Sequence, residues 1–401
     1  MKQKLFILAA AVAALASCSN EEIASVEQSQ AKTSANAITF VPMVNGITRA
    51  SAFPASVARI TSMNISGGSF TVNAMNAGTT TPYFSNATFF YDNENHNYTS
   101  TTPYYWPLSG SLDFYAYAYN DLYEDETGDQ LTVTDYKTFT VTPYHAASDY
   151  YEPYLASNQI DLVYAATKNK SKDNSDDIAL NFRHTGSRII CVVKNSSTAY
   201  KFTVCAWKVG YVSPSGTFTF ADNNTDGNNN GSGTTLTAAQ WSGQAAASIA
   251  TQYASYPSSV GIAAKSEDDE HFTTLGGEML LVPQTLTAAT GYASSSENAD
   301  LNGAFIAVQI KMQDASNDSY IIGSSATDGY AWAIWPISGS WAPGKQYIYT
   351  IDLAGGGYKE KNDNTGGTAL VPYLRGPQIT FATVTVDNWT DGTDDAQAVS
   401  N

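Results

Sequence analysis

The sequence predicts an all-β protein whose strands pack as β-sandwiches. Charged residues make up only 14% of the 401 residues, while Tyr (26) and Gly (29) are abundant, and this balance favours strands and turns over helices. Short runs of alternating apolar and polar residues recur between Gly, Pro and Asn, as is typical of sandwich strands. The clearest predicted strands are Ile38–Val41, Ser111–Tyr117, Thr138–Val141, Asp161–Tyr164, Arg188–Val193, Phe202–Val209, Ala304–Met312, Gln346–Leu353 and Ile379–Val386.

The length of the chain indicates about two domains. We place the boundary near residue 200, which gives a first domain of residues 50–200 and a second domain of residues 201–401. Residues 19–36 are polar and have almost no apolar periodicity, so they are interpreted as a tether. Low-complexity stretches at residues 223–235 and 355–367 are predicted to be loops.

Residues 1–17 have the pattern of a secretory signal peptide, with a basic start, an apolar stretch and small residues at its end. The apolar stretch is about a dozen residues long, shorter than the ~20 that a bilayer-spanning helix needs. Leu15-Ala16-Ser17-Cys18 resembles the lipobox of bacterial lipoproteins. That resemblance implies acylation of Cys18, as by palmitate, and contact with the membrane through this lipid alone. The alternative is an ordinary signal peptide with an incidental cysteine.

Charge excludes one class of partner. The chain has a net charge of −17, whereas a nucleic-acid-binding surface needs clustered Lys and Arg that meet the phosphates. The sequence contains no basic stripe of this kind. It therefore predicts no nucleic-acid partner and suits an extracellular surface.

The residue types that usually carry catalysis are sparse. The sequence has no His-Glu-x-x-His, Gly-x-Ser-x-Gly or P-loop pattern, and its four histidines are far apart: His96, His145, His184 and His271. His184 stands beside a predicted strand and is interpreted as a structural side chain. Dispersed carboxylates could form a glycosidase pair, but a sequence does not reveal their separation. We predict no enzyme activity and no cofactor.

One spacing resembles a metal site. Asp222, Asn224 and Asp226, followed by Gly227, match the first half of a calcium-binding loop. The position that carries a bidentate Glu in such loops is Gly233 here. Because Asn-, Asp- and Gly-rich hairpin tips have this composition for turn reasons alone, the loop is a weak calcium candidate and no metal site is predicted.

Cys191 and Cys205 are the two cysteines beyond Cys18, and both fall in predicted strands. Disulfides persist outside the cytosol, so a bridge between the two is one interpretation. The other is a buried free thiol, because Cys191 lies in a strongly apolar run.

Several short motifs occur in a specific order. After the lipobox come the strand Ile38-Thr39-Phe40 and the sequence Thr48-Arg49-Ala50. Further motifs follow at residues 104–107, 112–117, 161–165, 182–189, 281–284, 341–347 and 384–389. This order resembles that of the fimbrillins, the subunits of type V pili of Gram-negative bacteria, including major-fimbrium-like proteins. The matches span nearly the whole chain.

The resemblance implies two transthyretin-like β-sandwich domains and a pilus subunit that polymerises by donor-strand exchange. It implies that an Arg-specific extracellular protease cuts between Arg49 and Ala50, which makes residues 18–49 a lipidated leader with a removable strand. Arg59 is the nearest competing cleavage site, in an apolar segment. The implied partners are other copies of this chain and other pilus subunits. The implied location is the outer membrane and cell surface, with the mature form in extracellular fimbriae.

Residues 379–401 are the candidate donor strand. An open sheet edge exposes N–H and C=O groups that an added strand can pair, and this segment is β-branched, alternating and at the end of the chain. We expect its contacts to come from Ile379, Phe381, Val384, Val386 and Trp389. The alternative is that this strand closes the sheet of its own domain.

Two classes of function therefore fit the sequence. The first is a structural fimbrial subunit that serves adhesion and colonisation, through a host or bacterial surface ligand that the sequence does not identify. The alternatives are a permanently anchored lipoprotein that binds glycans through its Tyr- and Trp-rich surface, or a tip or anchor subunit of the same pilus. The N-terminus of the surface-exposed protein separates them, since Ala50 indicates the processed subunit and acylated Cys18 the anchored protein.

Overall fold

The computed structural model describes residues 37–44, 69–92, 97–120, 130–143, 154–155, 159–174, 178–220, 240–247, 252–266, 272–289, 302–363, 367–372 and 383–388. The regular elements in these ranges are β-strands and two short 3-10 turns, at Lys172–Asn174 and Leu353–Gly355. The predicted all-β class is therefore confirmed.

The strands of the first half are β1 (Phe40–Val44), β2 (Ser69–Asn76), β3 (Pro82–Asp92), β4 (Asn97–Thr99), β5 (Leu112–Asn120), β6 (Leu131–Val133), β7 (Thr138–Val141), β8 (Tyr154–Leu155), β9 (Asp161–Lys170) and β10 (Ile178–His184). They are followed by β11 (Ser187–Lys194), β12 (Tyr200–Gly210), β13 (Gly216–Thr219), β14 (Trp241–Ser242), β15 (Gln252–Ser255), β16 (Val260–Ile262), β17 (Phe272–Leu281) and β18 (Thr285–Leu286). The last strands are β19 (Phe305–Asp314), β20 (Tyr320–Ile322), β21 (Ala331–Pro336), β22 (Gly339–Ser340), β23 (Lys345–Asp352), β24 (Tyr358–Asp363), β25 (Gly367–Pro372) and β26 (Thr383–Asn388).

The first unit is built on a seven-stranded sheet with the order β1-β10-β9-β5-β2-β3-β4. A four-stranded sheet with the order β14-β13-β7-β6 packs against one face, and an aromatic core fills the space between the two. The other face of the seven-stranded sheet encloses a second core, to which β1, β2, β3, β5, β9 and β10 all contribute. Since β1 and β3 meet across this core, the sheet is strongly curved.

The central strand β5 shows how the sequence supports both cores. Side chains alternate between the two faces of a strand, so Phe114 and Ala116 enter the core of the curved face while Tyr115 and Tyr117 enter the core between the sheets. Burial on both faces accounts for the continuous apolar and aromatic character of this segment.

The second unit is a two-layer sandwich. One layer has the strand order β17-β11-β23-β26, and the other has the order β25-β24-β21-β19-β12-β15-β8. Tyr347, Tyr349 and Ile351 of β23 alternate with less buried neighbours, and they pack with Trp207 and Trp335 of the opposite layer in the main core. The arrangement agrees with the predicted sandwich architecture, and the transthyretin-like topology remains a prediction.

The strands do not divide between the units at one point of the sequence. The chain first passes from β10 to β11 through Thr185 and Gly186, before the boundary expected near residue 200. It later returns, because β13 pairs with β7 and β14 pairs with β13. β8 crosses in the other direction and pairs with β15. These crossings connect the two units through main-chain hydrogen bonds.

Residues 355–367 differ from the predicted loop. β24 occupies Tyr358–Asp363 and forms an antiparallel hairpin with β25. The segment is rich in Lys, Glu, Asn and Asp, so it shows no alternation of apolar and polar residues from which a strand could be predicted. Because β25 ends its sheet, this hairpin lies at a margin, where charged residues are common in strands.

Tyr349 carries an expected dependence of stability on pH. Its hydroxyl accepts a hydrogen bond from Trp341 Nε1 (2.9 Å), and burial raises the pKa of Tyr349 from 10.0 to about 12. Because the folded pKa exceeds the unfolded value, the contribution to stability is complete below pH 10 and declines as the pH rises to about 12. We expect a loss on the order of 2–3 kcal/mol from this group.

Urea unfolding across this pH range measures the effect. Tyr349→Phe, which cannot ionise, is expected to flatten the decline, whereas Tyr320→Phe, at an exposed position, should reproduce the wild-type slope. Equal slopes for wild type and Tyr349→Phe would contradict the assignment.

Candidate functional site

β1 lies at the edge of the curved sheet and is the strand that precedes the predicted cleavage site. It runs parallel to β10, with Phe40 registered to Ile178 and Val44 to Phe182. β10 is the one described strand that pairs with β1. The main chain is also held before the strand begins, because Ile38 N donates to Tyr104 O and Ile178 N donates to Thr39 O, each at 2.9 Å.

Two side chains of this segment fill the core of the curved face. Ile38 is 4% exposed and Phe40 is 5% exposed, as expected for positions two apart on a strand. The Phe40 ring makes edge-on contacts with three rings, Phe70, Phe89 and Phe114, at centroid distances of 6.1, 4.8 and 5.4 Å. These rings come from β2, β3 and β5, so Phe40 closes the curved sheet across its interior.

The aromatic segment around residue 105 forms the entrance to this site. Ala37 forms an isolated bridge with Tyr105, and the Tyr104 ring packs on Phe84 at 4.2 Å. Trp106 packs edge-on against Phe114 at 5.9 Å. Tyr104 and Trp106 are therefore partly buried and pack against the core, while Tyr105 is 47% exposed.

β26 lies at the edge of the smaller layer of the second unit. It pairs antiparallel with β23, and Val384 is registered to Tyr349 and Val386 to Tyr347. Both partners are buried core residues. In this conformation of the chain, β26 therefore completes the sheet of its own unit, as in the alternative considered for the C-terminal strand.

The other predicted site residues lie outside the described residues. These are the lipidation site Cys18, the processing site Arg49 and Ala50, the donor-strand residues Ile379, Phe381 and Trp389, and the calcium candidate Asp222, Asn224 and Asp226. Within the described residues, no group of three or more His, Cys, Asp or Glu side chains is arranged to hold a metal ion. No helix in the described part of the chain is both long and apolar enough to cross a bilayer.

The two cysteines do not form the disulfide that one interpretation of the sequence allowed. Both are free thiols. Cys191 of β11 is fully buried in the main core, and burial raises the pKa of its thiol. Cys205 belongs to β12 in the opposite layer and is half-buried, with its sulfur donating to Gln309 Oε1 at 3.1 Å. The two thiols lie in different sheets, so a bridge would require the strands to move.

His184 is paired in the interior. Its Nδ1 lies 2.9 Å from Asp161 Oδ1, and the two side chains are 3% and 5% exposed. The pair connects the end of β10 with the start of β9, next to the point where the chain leaves the first unit. This position agrees with the interpretation of His184 as a structural side chain.

Sequence reasoning missed a polar cluster on the second unit. The Arg188 guanidinium donates to Glu278 through Nε (2.8 Å) and Nη2, and to Gln346 Oε1 through Nη1 (3.0 Å). Gln159 of the first unit donates to Glu278 O (3.0 Å) and accepts from Leu280 N (2.7 Å). The cluster therefore secures the junction of the two units. An arginine at the start of an apolar strand was its one signal in the sequence.

Comparisons with known proteins provide the family context. A family model described as fimbrillin-like matches residues 48–389. Among solved structures, a proposed cell adhesion protein of Bacteroides uniformis is 14% identical with a TM-score of 0.35, covering 88% of this chain and 98% of its own. A second, from Bacteroides ovatus, is 13% identical with a TM-score of 0.36, covering 88% and 95%. The tip fimbrial protein Mfa3 of Porphyromonas gingivalis, with a C-terminal truncation, is 9% identical with a TM-score of 0.29, covering 82% and 96%. No curated protein matches the chain.

Proposed function

The chain belongs to the fimbrillin-like family, and on this premise we propose that it is exported as a lipoprotein, cleaved after Arg49 and polymerised by donor-strand exchange. The family consists of structural and adhesin proteins of fimbriae rather than enzymes, in agreement with the predicted lack of enzyme activity. A place in cell-surface fimbriae and association with other pilus subunits follow from the family.

The observation that carries the proposal is the position of the leader strand. β1 lies at a sheet edge and pairs with β10, yet Ile38 and Phe40 are buried in the core. Loss of this segment would expose the main chain of β10 and the rings around Phe40. An edge with unpaired N–H and C=O groups and an apolar groove binds an added strand. The leader therefore acts as a temporary occupant of the groove.

Cleavage after Arg49 determines when the leader strand can leave the groove. Arg49 follows β1 by five residues in the sequence and precedes the rest of the first unit. A cut there separates β1, the tether and the lipid on Cys18 from the mature chain in one step. The severed leader remains bound only by non-covalent contacts, so a strand from a neighbouring subunit can displace it.

The C-terminal segment is the proposed donor. Its strand β26 pairs with β23 in its own unit, so donation of these residues requires that pairing to open. Because β26 is an edge strand, its departure leaves the pairing of β23 with β11 intact. The loss of main-chain hydrogen bonds in the donor is offset by those formed with β10 in the acceptor.

Arg49→Ala tests the proposal. We expect this variant to accumulate as a lipid-anchored monomer with its leader attached, because the covalently linked β1 refills its own groove faster than a neighbour can enter. Export of the variant and the wild type in the same host, followed by SDS gels of unheated samples, measures the ladder of polymers. The yield of polymer is expected to fall at least about tenfold.

Arg59→Ala is the matched control and should assemble normally, with Ala50 as the N-terminus of the surface protein. Undiminished polymer from Arg49→Ala with its leader still attached would refute the mechanism. A wild-type surface protein that keeps acylated Cys18 would instead support the anchored alternatives.

A further inference from the structure

The leader and the proposed donor segment share an identical tripeptide. Ile-Thr-Phe occurs in the chain at residues 38–40 and at residues 379–381, and nowhere else. The first copy supplies the two side chains that fill the core of the curved face. The second tripeptide is separated by one residue, Ala382, from β26, which begins at Thr383.

Each residue of the first copy has a defined contact in the structure. Ile38 is buried, and its N–H donates to Tyr104 O. Thr39 is half-buried, and its carbonyl accepts from Ile178 N. Phe40 inserts its ring among Phe70, Phe89 and Phe114. A second Ile-Thr-Phe that entered in the same direction would reproduce all three positions.

The strands that follow the two tripeptides pair in different ways. β1 runs parallel to β10, whereas β26 runs antiparallel to β23. The second copy itself, residues 379–381, lies outside the described residues. The second tripeptide thus repeats the residue pattern of the first, next to a strand that pairs in a different way.

From this juxtaposition we infer that residues 379–385 of a second copy of the chain replace residues 38–44 in the acceptor, parallel to β10 and in the same register. Ile379 takes the place of Ile38 and Phe381 takes the place of Phe40. Ala382 then stands where Val41 stood, opposite Ala179. This inference rests on the proposed function, to which it adds the direction, the register and the two anchoring side chains.

Phe381 is therefore expected to determine the strength of assembly. Removal of a buried Phe ring weakens packing enough to change an equilibrium by about 100-fold or more. Phe381→Ala should reduce the affinity of processed subunits for each other by this factor. Phe272→Ala, which removes a ring that is 50% exposed, is the matched control and should assemble normally.

Cysteine trapping tests the register directly. In a Cys205→Ser background, an acceptor with Ala179→Cys is processed at Arg49 and mixed with a donor that carries either Ala382→Cys or Val384→Cys. Paired strands lie about 4.8 Å apart, within the Cα distance that a disulfide spans, while a two-residue offset exceeds about 7 Å. We expect the Ala382→Cys donor to form an intermolecular disulfide and the Val384→Cys donor to form none.

The outcomes are distinguishable. If polymer forms but the Ala382→Cys donor gives no disulfide, or the Val384→Cys donor gives one, the inferred register of residues 379–385 on β10 is wrong. Strand exchange itself is not contradicted by either result. A variant that carries both Ala179→Cys and Ala382→Cys tests whether the occupant comes from another chain. A disulfide within one chain, formed at a yield independent of protein concentration, would show that the occupant is the chain's own segment and would overturn the inference. Failure of the processed wild-type protein to polymerise overturns the proposed function together with the inference.

Discussion

Phe40→Ala is expected to destabilise the first unit of the unprocessed chain by about 3–5 kcal/mol. The ring lies at the centre of three edge-on aromatic contacts and is 5% exposed, so truncation removes both buried apolar area and the packing of its neighbours. For a unit of this size the change corresponds to a fall in Tm on the order of 10 °C. Differential scanning calorimetry of the Arg49→Ala background, in which the leader cannot leave, isolates this contribution.

Phe90→Ala provides the control for Phe40→Ala. Phe90 belongs to β3 and is 37% exposed, next to the buried Phe89, so its truncation should cost about 1 kcal/mol or less. A Phe40→Ala protein that melts like the wild type would show that the leader strand is not packed in solution. In the cleavable background, the same substitution should accelerate displacement of the leader, because a weaker occupant leaves the groove faster.

Val384→Asp is expected to cost the second unit about 3 kcal/mol or more. Val384 is registered to Tyr349, which lies in the main core and is 2% exposed. A carboxylate at this register position must either lose its hydration or pull β26 away from β23. Urea unfolding of the unprocessed protein measures the loss in the free energy of unfolding.

Thr385→Asp, one residue further along β26, is the control for Val384→Asp. Thr385 is registered to Ile348, which is half-buried, and the expected loss is about 1 kcal/mol or less. Unchanged stability of Val384→Asp would contradict the pairing of β26 with β23 in the monomer. Polymer yield from the same variant after processing at Arg49 adds a second measurement: a stable, cleaved monomer that no longer assembles would assign Val384 to the acceptor groove instead.

Much of the fold class was accessible from the sequence, because it depends on local patterns. Alternation in β5, in β12 and in β23 is produced by residues two apart, and each of these strands was predicted close to its observed bounds. β24 escaped prediction for the same reason, since its polar residues carry no apolar alternation and its strand conformation depends on pairing with β25. The order of motifs that indicated the family is likewise a property of the linear chain, and the family match over residues 48–389 confirms it.

The sequence by itself thus determined the fold class and the family, because composition, strand alternation and the family motifs all depend on residues that are close together in the chain. Only the tertiary structure decided which distant strands pair. It placed β1 parallel to β10 with Phe40 among the rings of three other strands, and returned β13 to the first unit. It also separated Cys191 and Cys205 into opposite layers as free thiols. These results depend on packing between residues far apart in the chain. An apolar strand could pair with several other strands, and only the packing of the complete core makes one of these pairings the most stable.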